Sequence, residues 1–186
     1  MSKGRISTRM LVTLALLSAI EVVLARFIIP MPSATMRFSI EAVPIIIAGL
    51  LFGPLPGAMV GLVGDAVGCL FSAYGYNPVF SVPPMLIGLC AGFLRRLLYE
   101  KVTYFRVLMT FLPAVILGSV LWQSYWLAFF YGTRTFTAFL GARSIQFAVT
   151  SLVNAAVVFG LFKSRVFETL GLWPPVSKSS TGGEAT

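Results

Sequence analysis

The chain has 186 residues, 58% of them hydrophobic and 11% charged, with a mean hydropathy of +0.91. A soluble domain carries about 25% charged residues, so this composition excludes a water-soluble globule and leaves an integral membrane protein of one domain's length. The net charge of +8 would suit a nucleic-acid binder, but its lysines and arginines fall between apolar segments and read instead as membrane topology.

Six segments qualify, or nearly qualify, as spans of the roughly 20 apolar residues that a membrane helix needs. The first is residues 10–29, ended by Pro30-Met31-Pro32. At about 100° per residue, Ala15 and Ala19 share one stripe of it, Arg26 falls on the same stripe near the far end, and Glu21 points roughly opposite beside Ser18 and Ala25. Small residues four apart let another helix approach closely; plain membrane filler is the alternative. Residues 40–52 form a short second span, stopped by the breaker-rich turn Gly53-Pro54-Leu55-Pro56-Gly57. The third, residues 58–71, is also short, so the pair reads as a hairpin sheltered by other helices. Its glycine face, Gly57, Gly61, Gly64 and Gly68, carries Asp65, for which a structural hydrogen bond is preferred over ligand contact.

The connection Tyr74-Gly75-Tyr76-Asn77-Pro78-Val79-Phe80 is aromatic and turn-forming. It suits closure over a flat ligand, and equally an interfacial anchor. The fourth span is residues 79–94, the fifth 107–131 and the sixth 139–162. Gln123, Trp126 and Phe130 share a face of the fifth; Arg143, Gln146, Thr150 and Asn154 form a polar stripe on the sixth. A charge at mid-membrane costs about 2.5–3.5 kcal/mol, so such groups face a protein interior or a cavity. The stripe is either interhelical glue or a solute site. An arginine, an amide edge and a tryptophan together supply an anion partner, paired donors and acceptors, and a stacking surface, which is more than packing requires. Cys69 and Cys90 lie in apolar segments and read as small buried hydrophobes, and the absence of histidine leaves no metal site to propose. Residues 1–173 form one membrane domain, and 174–186, rich in Ser and Gly, a disordered tail.

With both termini in the cytoplasm, Lys3, Arg5, Arg9, Arg95, Arg96, Lys101, Arg106, Lys163, Arg165 and Lys178 lie inside, and only Arg26, Arg37, Arg134 and Arg143 outside. The positive-inside rule selects this orientation. The fold class is therefore all-α, a polytopic protein of six transmembrane helices with both termini cytoplasmic.

The run Arg37-Phe38-Ser39 through Pro44 to Ala48-Gly49-Leu50-Leu51-Phe52-Gly53-Pro54, the glycine-rich helix with Asp65, and Pro78-Val79-Phe80 resemble the S components of energy-coupling factor (ECF) vitamin transporters, the folate kind above all. Gln123-Ser124-Tyr125-Trp126-Leu127 is similar to a family pattern with Asn at the first position, and Arg143-Ser144-Ile145-Gln146 to its Arg-x-x-Gln run, after which the family often has proline where this chain has Thr150 and Ser151. The resemblance covers residues 9–162. It implies a non-catalytic, high-affinity vitamin-binding subunit of a bacterial plasma-membrane importer, with no cofactor of its own. Ala15 and Ala19 match the motif that docks on the membrane T component, and two partner ATPase subunits hydrolyse ATP; the chain carries no P-loop. Under this resemblance Arg37, Tyr76, Phe80, Gln123, Trp126, Arg143 and Gln146 contact the substrate, with the pterin stacked on aromatic rings and the glutamate carboxylates held by arginine. An S component for thiamine, riboflavin or a queuosine precursor is the nearest alternative, and a structural membrane subunit a more distant one.

Overall fold

The computed structural model describes residues 8–26, 40–70, 77–131 and 136–173, which form helices joined by short turns, with no strand among them. Helix α1 is Thr8–Arg26, α2 Ala42–Phe52, α3 Pro54–Leu70 and α4 Pro78–Phe93, the last prolonged through a 3₁₀ turn, Leu94–Arg96, to Glu100. Helix α5 comprises Tyr104–Ala114, a π-helical stretch Val115–Trp122, and Gln123–Tyr131; α6 is Phe136–Lys163 and α7 the single turn Val166–Thr169. Among the described residues, four helices are long and apolar enough to cross a membrane: those containing Thr8–Ala25, Pro78–Glu100, Tyr104–Phe130 and Arg143–Lys163. At 1.5 Å per residue, α2 and α3 reach only about 16 and 25 Å against a hydrocarbon core of about 30 Å.

Those two short helices lie at the centre. Val43 through Leu50 are buried on every side of α2, as expected of a helix apolar all round. It packs with α3 and α4 so closely that backbones touch: a methyl group at Gly88 would overlap the Gly57 carbonyl, and one at Gly57 would meet Gly49 and the Gly88 carbonyl. The predicted breaker turn is shorter than its composition suggests. Only Gly53, at φ 107°, turns the chain. Pro54 opens α3 directly, because the first turn of a helix leaves its N–H groups unbonded and proline loses nothing there.

Proline also shapes α4 and α5. Pro83 has no N–H for the carbonyl of Val79, and the indole Nε1 of Trp122 donates to that oxygen at 3.0 Å, tying α5 to α4. Pro113 lies two residues before the π-helical stretch, where loss of an i→i−4 bond loosens the ladder. Asn77 caps α4, its Oδ1 accepting from the N–H of Val79 at 3.1 Å.

The start of α1 and the end of α6 share one end of the bundle. The guanidinium of Arg9 donates to the carbonyl of Leu170, Arg106 donates to the carbonyl of Leu97 and pairs with Glu100 at 3.1 Å, and the rings of Tyr99 and Trp173 lie 5.6 Å apart. Most of the cations among the described residues gather there. On α1 the predicted stripe is on the outside: Ala15 and Ala19 are exposed beside Leu11, Leu16 and Val23, while Glu21 and Val22 turn inward.

Candidate functional site at the α5–α6 face

The last third of α5 is a row of aromatic rings because Tyr125, Trp126, Phe129 and Phe130 recur at helical spacing. Trp126 and Phe130 stack at 5.6 Å with an interplanar angle of 26°, Tyr125 and Phe129 present edges to Trp126, and Phe80 at the start of α4 reaches Phe130 at 6.3 Å. Phe80 and Trp126, singled out from the sequence, thus join one aromatic shelf through Phe130. Gln123 is half-buried one turn before Trp126.

On α6, a polar face turns into the protein. Arg143, Gln146, Ser151 and Asn154 are all buried, although they lie in a helix that is otherwise apolar enough to meet lipid. From Arg143 to Asn154 the face runs for about 16 Å along the helix axis. The Arg143 guanidinium stands 5.2 Å from the centre of the Phe147 ring, a cation–π contact that holds it in place. Thr150 was grouped with this stripe, but its hydroxyl donates to the carbonyl of Gln146 at 2.8 Å within its own helix.

Four buried polar atoms have no hydrogen-bond partner among the described residues: Glu21 Oε2 on α1, Ser124 Oγ and Trp126 Nε1 on α5, and Asn154 Oδ1 on α6. A buried group left unsatisfied costs about 1–3 kcal/mol, and such groups are rare enough that each asks for a reason. Ser124 went unnoticed in the sequence, since one serine among aromatics carries no pattern. It is completely buried.

Arg37 and Tyr76, the loop residues expected to close over a ligand, lie outside the described residues, as do Tyr74 and the 174–186 tail. Asp65 is a cross-link: Oδ2 accepts from the hydroxyl of Ser81 on α4 at 2.5 Å, joining α3 to α4. Glu21 is 4% exposed, its carboxylate packed against Gly64 of α3 where any side chain would collide with it. Cys69 and Cys90 are each half-buried, and the thiol of Cys69 donates to Asp65 Oδ1 at 4.0 Å.

Residues 5–166 match the profile of the family described as ECF-type riboflavin transporter, S component. The chain belongs to this S-component family. Among the relatives of this S component, the folate transporter FolT of Clostridium novyi (strain NT) is 24% identical over 154 residues, covering 82% of this chain and 87% of its own. A crystal structure of FolT bound with folic acid superimposes with a TM-score of 0.72 at 25% identity, covering 85% of this S component and 95% of that chain. All-helical architecture, apolar helices and family agree that this S component is a membrane transporter subunit.

Proposed function

We propose that this S component captures folate from outside the cell for an ATP-driven importer. The observation that carries the reading is the set of buried polar atoms on α5 and α6, at Ser124, Trp126 and Asn154, that have no partner among the described residues, together with the stacked rings of α5. A pterin supplies what these groups lack: a flat surface for Trp126 and Phe80, and an edge of alternating donors and acceptors for Gln146 and Gln123. Arg143 answers a glutamate carboxylate, with Arg37 and Tyr76 closing from the loops. The folate-binding relatives support the choice of vitamin.

In this reading all six helices α1–α6 cross the bilayer, α2 and α3 being short because other helices shelter their ends. Both termini are cytoplasmic in a bacterial plasma membrane. A T component docks on the Ala15/Ala19 face of α1, and two ATPase subunits hydrolyse the ATP, so this chain needs neither cofactor nor catalytic group. The test is to purify the protein, extract any small molecule that accompanies it, identify it by absorbance and mass, and titrate the emptied protein with folic acid. Folic acid is expected to accompany it and to rebind saturably. The family's description favours riboflavin as the second reading. Riboflavin has no carboxylate for Arg143, so its recovery in place of folic acid overturns the vitamin while leaving the subunit's role intact.

A further inference from the structure

A second polar recess lies at the opposite end of the molecule from the aromatic shelf. It is a cleft of about 330 Å³ between the α2–α3 turn and the end of α4, lined by Pro54, Gly92, Phe93, Arg95 and Arg96. Backbone contact forms its floor: Gly92 lies so close to Pro54 that a methyl group there would overlap the proline. Arg95 leans over the turn, where a side chain at Gly53 would come within 3.5 Å of its guanidinium. Among the described residues, the carboxylates near this end are engaged elsewhere, Glu100 with Arg106 and Glu168 with Arg165. Arg95 and Arg96 thus face the cleft without a counter-ion among the described residues. The amino end of α3 adds its partial positive charge.

We propose that this cleft binds the phosphate of an anionic phospholipid headgroup. Two guanidiniums at one mouth suit a phosphate diester, which they can hold through several charge-assisted bonds. The surrounding surface decides for a lipid over a soluble phosphate: Phe93 and Leu55 are each 69% exposed and Leu97 41%, an apolar rim placed to lie along acyl chains. Basic pockets between membrane helices on the cytoplasmic side recognise such headgroups, and the anionic inner leaflet attracts cations at that depth. The proposal is independent of the vitamin bound at the other end.

The experiment is direct binding of a short-chain fluorescent phosphatidylglycerol to the purified full-length protein in neutral detergent, with the phosphatidylcholine analogue alongside. Phosphatidylglycerol is expected to bind more tightly. Arg95→Gln and Arg96→Gln should each weaken it about fivefold, and the double variant roughly 25-fold. Lys163→Gln, a cation near the same end but outside the cleft, should leave binding unchanged, and the double Arg→Lys variant, which keeps both charges, should retain it. Unaltered melting curves establish that the variants fold. Equal binding of phosphatidylcholine, or equal losses with Lys163→Gln, overturns the proposal in favour of plain apolar or diffuse surface attraction. Displacement by inorganic phosphate as readily as by unlabelled phosphatidylglycerol overturns the lipid assignment. Loss of assembly with a partner protein in the double Gln variant, with lipid binding intact, reassigns the cleft to an acidic protein surface.

Discussion

Trp122 and Trp126 stand one turn apart on α5 and do different work. The indole N–H of Trp122 serves the carbonyl that Pro83 leaves open, whereas that of Trp126 is buried without a partner. Trp122→Phe should therefore lower apo stability by about 0.5–1.5 kcal/mol with ligand binding intact in the folded fraction, and Trp126→Phe should weaken folate binding with the apo melting curve near wild type. Asn154→Leu sharpens the contrast. It removes a buried acceptor that has no partner, so apo stability should hold or rise while folate affinity falls; an interhelical-glue role predicts lower stability and normal binding. Arg143→Ala, removing the partner of a carboxylate, should cost about 1.5–3 kcal/mol, or roughly ten- to 150-fold in Kd. Titration calorimetry and melting curves on the same preparations read both quantities. The sequence made Arg143, Gln146 and Trp126 visible because polar groups stand out in apolar helices. It hid Ser124, and it could not separate the two tryptophans, because the difference depends on where one proline of another helix leaves a carbonyl open.

At the scale of elements, periodicity was a good guide wherever a helix is regular. It placed Ala15 and Ala19 on one face of α1 and Glu21 on the other, as found. Composition overstated the α2–α3 turn, where four breakers in five residues stand and only Gly53 turns, and the π-helical stretch Val115–Trp122 is invisible to a 100° extrapolation, although Gln123, Trp126 and Phe130 all lie beyond it. Tight packing here makes its own forecast. Gly88→Ala places a methyl group into the Gly57 backbone and should destabilise by about 1–3 kcal/mol, whereas Gly160→Ala meets nothing within 4 Å and should change stability by no more than about 1 kcal/mol. On α1, Ala15→Trp or Ala19→Trp widens an exposed face while leaving the interior untouched. Folate uptake by cells should be abolished and folate binding by the isolated protein preserved; a parallel fall in both would remove this face as the docking surface.

At the scale of the whole molecule, the division of charge ties the two ends to the two sides of the membrane. The end joined by Arg9 with Leu170 and by Arg106 with Glu100 holds cations from four separate stretches of chain: the start of α1, the end of α4, the start of α5 and the end of α6. The buried face with Arg143 opens from the beginning of α6, at the other end. In the proposed topology the cation-rich end lies in the cytoplasm, as the positive-inside rule asks, and the proposed solute site at the other end faces the supply of vitamin. The two short helices are the weak point of that picture. If α2 and α3 dipped into the membrane and returned without crossing, the connections before α2 and after α3 and the ends of α4 and α6 would all keep their sides, and only the turn at Gly53 would fail to reach the cytoplasm. Reporters that fluoresce only in the cytoplasm, fused after Thr186 and within residues 95–106, should light up; reporters active only outside should be active at Arg37, Tyr76 and Arg134. Cytoplasmic fluorescence at Tyr76 would remove the six-span topology, and with it the outward-facing site, because Phe80, which meets the aromatic shelf at Phe130, lies only four residues further along the chain.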